Sequence, residues 1–383
     1  MTRKFIDYFP EQVANIQQVG RKALELFKSF GYVEIMPSTF AEYEPSGLYE
    51  NTIKFVDADG SVMILRKEFT PKAAEMAVKY NGKYPIKFCY FGRAYQLFAK
   101  EAGELREFYQ AGLEHFDVVD DVYADVEVIV LAIESLLRLG FENFTVDIGE
   151  VNYFKGIVEA IGLDDGSSEA LCKLVDNKDY IGIENFLIKK GLSSKLVDVF
   201  GRLTRLYGKW EKIELAYQFA KNEKSKRAAE RIREIYTNIC KLGYEKFISV
   251  DFGMVKHLDY YTGVIFSGYL ANVGYPILNG GRYDNLCEKM GKKLYAIGFA
   301  LKVDVLSSLL KNSKDFPKHA IFFDQDSFTS AVRYALQNKD KYYFYTHPTN
   351  YKTALILAKQ FGFERITYFS SNSPVVVDLK NGG

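Results

Sequence analysis

The sequence predicts an α+β fold: an antiparallel sheet with flanking helices, a helical insertion between the two halves of that sheet, and a small C-terminal α/β domain. Three observations predict it. Residues 88–117 read as two strand-like arms around a charged loop. Residues 152–243 switch to helical stripes separated by short polar turns. From Phe316-Pro317 onward, strand and helix patterns alternate. These changes of pattern divide the chain into 1–151, 152–243, 244–313 and 314–383.

Along the first part, Val13, Ile16, Ala23, Leu24, Phe27 and Phe30 form a helical stripe over 11–30, ended by Gly31. The strand Tyr32-Val33-Glu34-Ile35-Met36 follows and is closed by Pro37. Residues 54–57 and 62–65 flank Ala58-Asp59-Gly60-Ser61, whose Asp-Gly favours a hairpin turn. Thr70-Pro71 supplies an N-cap and a first-turn proline for a helix over 71–80, stopped by Asn81-Gly82. Arg66, just upstream, reads as structural.

The long hairpin comes next. Its first arm, Lys87-Phe88-Cys89-Tyr90-Phe91, is aromatic and bounded by Pro85 and Gly92. Its second arm alternates so that Phe108, Gln110, Gly112 and Glu114 share one face. A Gln and a Glu with a glycine between them leave room for a small polar ligand bearing N–H groups. The same arm also fits an edge strand with a solvated polar face. His115 has no carboxylate or His at ligand spacing, so a metal site is not expected.

A helix is expected over 121–139, with Val122, Val126, Ile129, Ile133 and Leu136 inward and Gly140 at its end, then a strand over 144–148. The insertion carries helical segments at 170–175, 181–190, 193–206, 210–220 and 225–242; Trp210, Ile213 and Ala216 form one stripe. Its basic clusters, such as 224–227, read as solvated helix surface. Strands resume at 247–251 and 260–266, and glycines 274, 280 and 281 suit tight turns and close backbone approach. Arg282 either faces a pocket or pairs with Asp284 at the surface. The C-terminal unit orders strand 320–323, helix 327–337, strand 342–345, helix 351–361, and strands 365–369 and 375–379.

Composition narrows the function classes. A net charge of +1 gives no overall electrostatic footprint for nucleic acid. Cys89, Cys172, Cys240 and Cys287 are far apart without a CxxC pair, so reduced thiols are expected instead of a zinc site or a disulfide frame. No apolar run approaches the ~18 residues of a membrane span, and the N-terminus lacks a signal-peptide core. A phosphate loop of the GxxxxGK[ST] type is absent. A cytoplasmic protein without cofactor or metal is expected.

Arg106–Asp117, REFYQAGLEHFD, resembles the second signature motif of histidyl-tRNA synthetase, a class II aminoacyl-tRNA synthetase. Residues 254–263, MVKHLDYYTG, are similar to that family's RGLDYY block. Gly280-Gly281-Arg282-Tyr283-Asp284 and Ile297-Gly298-Phe299-Ala300 follow in the family's order, so the resemblance covers nearly the whole chain. It implies a class II synthetase-like sheet, a homodimer built on the first helix and strand, and a C-terminal unit in the place of an anticodon-binding domain.

The departures are chemical. Where the resemblance implies an Arg-x-Glu that grips ATP, this chain has Gln96 and Phe98. Where it implies a γ-phosphate Arg it has Val305, and the Arg of RGLDYY is Lys256. A guanidinium offers paired donors to phosphate; Gln offers a neutral amide, Val nothing, and Lys a point charge. At roughly 1.5–3 kcal/mol per charged hydrogen bond, two losses weaken transition-state stabilisation by about two to four orders of magnitude.

The amino-acid pocket is kept by the same resemblance. Residues 65–70, LRKEFT, are similar to the family's LRPEGT, which implies that Glu68 and Thr70 hold a histidine α-amino group. Gln110 would support that end, Glu114 and Tyr261 would contact the imidazole with Tyr260 beside them, and Lys256 would face the carboxylate. Free histidine bound without activation is the property of ATP phosphoribosyltransferase regulatory subunits, and Phe91-Gly92-Arg93 followed by REFYQAGLE is close to that family's hairpin. Membership would imply a short catalytic phosphoribosyltransferase subunit as partner in a hetero-oligomer, a hetero-octamer in that family, with feedback by histidine and no tRNA. A divergent histidyl-tRNA synthetase, or a synthetase-like histidine-binding module with another partner, are the alternatives.

Overall fold

The computed structural model describes residues 6–43, 52–80, 82–97, 105–191, 200, 206–255, 260–310, 317–338, 342–371 and 373–379. Two compact units emerge, 1–311 and 312–383.

Among the described residues, the larger unit is built on a nine-stranded sheet. In spatial order its strands are Val33–Glu34, Ile86–Tyr95, Glu107–Asp117, Tyr295–Lys302, Leu278–Arg282, Val264–Leu270, Phe144–Glu150, Ile248–Asp251 and Tyr207–Gly208. Every pairing from Ile86–Tyr95 across to Phe144–Glu150 is antiparallel, as the sequence predicts. The strands at Val33–Glu34 and Ile248–Asp251 join in parallel. A separate three-stranded sheet holds Phe40–Glu42, Val62–Leu65 and Lys54–Val56, so the Asp-Gly hairpin forms where expected.

The Glu107–Asp117 arm is no edge strand. It pairs on one side with Ile86–Tyr95 and on the other with Tyr295–Lys302. The second arm therefore lies inside the sheet, and on its polar face Glu114 is buried while Gln110 is half-buried.

Helices Pro10–Ser29, Val122–Arg138 and Glu223–Lys241 contribute to the main core, where Val19, Leu26, Phe27, Ile129, Ile133, Leu136, Ile232 and Ile235 are buried. Of the expected N-terminal stripe, Ile16, Ala23 and Phe27 are buried, but Val13 and Phe30 are exposed. Helix Thr70–Lys79 starts one residue early: Phe69 is its N-cap, and the Thr70 hydroxyl is turned to Glu114 instead of capping.

Insertion helices run at Val151–Ile161, Asp165–Asp176, Tyr180–Lys189, Trp210–Phe219 and Glu223–Lys241. The first was not foreseen, and the helix expected over 193–206 lies outside the described residues apart from Phe200 and Leu206. The strand expected over 260–266 begins only at Val264. Gly280 and Gly281 make no turn: both are inside the Leu278–Arg282 strand, each paired on both sides, and serve the close approach that was the other expectation for them. A Cβ at Gly280 would lie 2.3 Å from Phe266 Cζ, so close packing is what keeps this position bare.

In the smaller unit, Tyr342–Phe344, His319–Phe323 and Arg365–Ser370 are parallel and Ser373–Asp378 is antiparallel. Helix Tyr351–Gln360 covers one face through Ala354 and Ala358 on Phe322 and Ile366; helix Phe328–Gln337 covers the other through Ala331 on Ile321 and Phe323. Alternating β and α is the order the sequence predicts. Among the described residues no helix is long and apolar enough to cross a membrane.

Candidate functional site

The site begins with register. Glu114 stands opposite Phe88 on one neighbour and Gly298 on the other. A Cβ at Gly298 would sit 1.8 Å from Glu114 Oε2, so only glycine admits the carboxylate there. Gly112 plays a different part from the one expected. It faces Tyr90, whose hydroxyl oxygen would be 2.5 Å from a Cβ at Gly112, so the bare position accommodates the phenol and leaves no ligand space of its own.

From that position the Tyr90 hydroxyl donates to Glu114 Oε1 at 3.1 Å, and Thr70 Oγ1 donates to the same oxygen at 2.7 Å. The Tyr283 hydroxyl donates to Oε2. A carboxylate has about four lone-pair positions. Three are used here, so by count one remains. Burial raises its pKa to about 7, while the three hydroxyl donors pull it down and nearby Glu68 pushes it up.

Beneath this cluster Phe69 stacks on Tyr90 at 4.2 Å, and the Arg66 guanidinium lies 4.0 Å over Phe69. Arg66 also donates to the carbonyls of Pro37 at 2.6 Å and Arg93 at 2.7 Å. It is structural, as the sequence suggests.

Tyr260 and Tyr261 complete the wall. Their rings meet edge-on at 5.0 Å, and Tyr260 lies 5.9 Å from Tyr283 in a near-parallel stack. Burial, then the charge of Glu68, raises the pKa of both phenols, so they remain protonated donors. Glu68, Thr70, Glu114, Tyr260 and Tyr261 are thus brought together. Gln110 shares the face of Glu114 but lies four residues along the strand, opposite Gly92 and Lys302, with a buried Oε1 lacking a hydrogen-bond partner among the described residues. Lys256 and Phe98 lie outside the described residues.

Two further positions bear on ATP. The Gln96 backbone N–H donates to Arg106 O at 2.9 Å, closing the outer end of the hairpin. Val305, on helix Val303–Leu309, packs against the main core and offers no donor to a phosphate. Sequence reasoning missed Tyr90 and Tyr283 as partners of Glu114. Tyr283 was legible, since alternation from Gly281 puts it on the pocket face; Tyr90 needed the hairpin register.

Arg282 is on the opposite face of the sheet, so it faces neither the pocket nor solvent. Its Nε donates to Asp125 Oδ1 at 2.6 Å and an Nη to the Asp121 carbonyl at 3.0 Å. Arg231 donates to Asp125 Oδ2 at 2.7 Å, and Asp284 is 3.6 Å from Arg282. His115, on that face too, is buried 3.8 Å from Glu127. Burial would raise Glu127, but the nearby His115 and hydrogen bonds from Lys87 and Tyr32 hold it at about 2.

Glu150 shares this face. Its Oε1 accepts from Asn152 at 2.8 Å, whereas its buried Oε2 has no hydrogen-bond partner among the described residues. Burial raises its pKa to about 7, from 4.5. A carboxyl raised on folding binds more protons in the native state, so its stabilising contribution is full below about 4.5 and is lost as pH rises through about 7. Glu150→Gln, which mimics the protonated form, is expected to raise the thermal midpoint at pH 8 and to give no gain at pH 4.5; an equal shift at both would refute this assignment.

With the geometry in place, comparison with known proteins gives the lineage. The histidyl-tRNA synthetase family model matches residues 4–306. The ATP phosphoribosyltransferase regulatory subunit of Acetivibrio thermocellus is 36% identical over 323 residues, 80% of this chain and 77% of that protein. The chain belongs to the ATP phosphoribosyltransferase regulatory subunit family. The regulatory subunit of Bacillus thuringiensis (strain Al Hakam) is 34% identical over 317 residues, 81% of this chain and 75% of that protein. A crystal structure described as an ATP phosphoribosyltransferase regulatory subunit/histidyl-tRNA synthetase from Bacillus halodurans C superposes with a TM-score of 0.83 at 26% identity, covering 92% of this chain and 95% of the other. Histidyl-tRNA synthetase from Nostoc sp. PCC 7120 shares the fold, at a TM-score of 0.81 with 14% identity over 98% and 96% of the two chains. The regulatory-subunit family thus carries the class II synthetase-like sheet described above.

Proposed function

We propose that this chain is a non-catalytic regulatory subunit of ATP phosphoribosyltransferase, required for the first step of histidine biosynthesis and binding free histidine as the feedback signal. Catalysis belongs to a separate short subunit held in a hetero-oligomer with it. One arrangement carries the ligand assignment: a buried Glu114 whose carboxyl gathers three hydroxyl donors, with Tyr260 and Tyr261 beside it and Glu68 and Thr70 nearby for an ammonium group. An imidazole N–H suits that acceptor, and the protonated phenols suit a neutral ring. Lys256 would meet the ligand carboxylate and Gln110 would close its amino end.

The nucleotide side supports a binding role without activation. Gln96 and Val305 stand where phosphate-holding arginines are implied, and neither offers positive charge. Histidine-dependent ATP–pyrophosphate exchange is therefore expected to be absent, and robust exchange would return the chain to synthetase chemistry.

Exposed Val33 on the first strand, Met36 just after it, where the expected strand has already ended at Glu34, and Phe40 and Val56 on the small sheet support a homodimer built there. Met36, 90% exposed, is the side chain to test. Met36→Asp is expected to shift the sedimentation coefficient toward the monomer, and an unmoved coefficient would place the contact elsewhere. The reading includes a cytoplasmic location, no tRNA, and the four segments divided at 151, 243 and 313.

A further inference from the structure

The segment that carries Tyr260 and Tyr261 is held from behind by both root helices of the insertion. From the first, Val151–Ile161, Asn152 Nδ2 donates to the Thr262 carbonyl at 2.8 Å, and Lys155 Nζ reaches the Tyr261 carbonyl at 3.5 Å. These two residues, three apart, lie on one helical face. Val151 N–H adds a bond to the Gly263 carbonyl at 3.2 Å. The last insertion helix, Glu223–Lys241, acts through charge. Arg231 on it pairs with Asp125, Asp125 pairs with Arg282, and the Arg282 carbonyl accepts the Thr262 N–H at 2.8 Å.

The two root helices are also tied to each other. Asn222 Nδ2 donates to the Gly156 carbonyl at 2.9 Å, and a Cβ at Gly156 would stand 2.7 Å from the Ser225 nitrogen. On the pocket side, Gly281 admits the Tyr261 ring, which would lie 2.8 Å from a Cβ there. Tyr261 therefore has its ring against the pocket floor and its carbonyl on the insertion. A ligand that fixes the ring fixes a carbonyl that the first root helix reads.

We infer that the insertion is the element through which the pocket reports its occupancy, with Asn152 and Lys155 as the positioning residues that join it to the Tyr260–Thr262 segment. This rests on the pocket being a histidine site, as proposed above. Ligand and helix then share one coupling free energy: histidine stabilises the root helices, and whatever stabilises the root helices tightens histidine binding by the same factor. A continuous set of hydrogen bonds and ion pairs runs from the Tyr260–Thr262 segment to both helices.

Hydrogen–deuterium exchange on the full chain tests it, with free histidine as the probe. At saturating histidine, amides of residues 151–161 and 223–241 are expected to exchange about fivefold or more slowly than without it. Peptides from 351–360 in the other unit serve as the reference. Asn152→Ala, compared at its own saturating histidine so that affinity does not intervene, is expected to lose the slowing in 151–161; Lys155→Met gives a second variant if the first folds poorly. Wild-type protein that binds histidine without slowing in either helix overturns this inference alone, as does slowing that survives both substitutions. Wild-type protein that does not bind histidine overturns the histidine reading together with it.

Discussion

Glu114→Gln is expected to weaken histidine binding by about 10- to 150-fold, from the roughly 1.5–3 kcal/mol of a hydrogen bond to a charged group. Gln keeps the shape that Gly298 accommodates, but its amide nitrogen turns one acceptor into a donor. Thr70, Tyr90 and Tyr283 already present three hydroxyl donors to this carboxyl, so one of them would then face an N–H. The imidazole N–H would lose its charged acceptor as well. A pH signature accompanies the loss. With its pKa raised to about 7, Glu114 is increasingly protonated below neutrality and its acceptor charge fades. The ratio of mutant to wild-type dissociation constants, in which the ligand's own titration cancels, should be larger at pH 8 than at pH 6. A ratio that stays near one at both would remove Glu114 from the site.

The largest stability effect is expected at Asp125. Its carboxylate is fully buried between Arg282 and Arg231. Asp125→Ala would leave the buried Arg282 guanidinium with only the Asp121 carbonyl and the longer approaches of Asp120 and Asp284. Removing one partner of a buried pair costs about 3–5 kcal/mol, because the remaining charge keeps its desolvation penalty. Urea unfolding of the variant should show that loss. Combining Asp125→Leu with Arg282→Met should recover part of it, since replacing both charges removes the penalty, and Arg231 can still reach Asp120 at the surface. A double variant as unstable as Asp125→Ala would mean that packing, not charge, is what Asp125 provides.

The hairpin, the alternation that puts Gln110 and Glu114 on one face, and the β/α order of the C-terminal unit were legible because each is a local period. What was not legible depends on pairing between distant segments. Gly112 looked like ligand space until the register placed Tyr90 beneath it. Gly280 and Gly281 suited either tight turns or close backbone approach, and only the neighbours Phe266 and Tyr261 decide for the second. Thr70 has the local chemistry of an N-cap, yet a buried carboxylate 44 residues away took its hydroxyl. Arg282 pairs with Asp284 as one reading had it, but buried and at 3.6 Å, because its nearer partner Asp125, 157 residues away along the chain, draws it beneath the sheet.

The central claim is an amino-acid pocket that outlived its nucleotide site. Calorimetric titration of the full chain with histidine, and separately with ATP and magnesium, tests it most directly. The account predicts saturable binding of one histidine per chain and no heat of binding from ATP; saturable binding of ATP, or no binding of histidine, would contradict it.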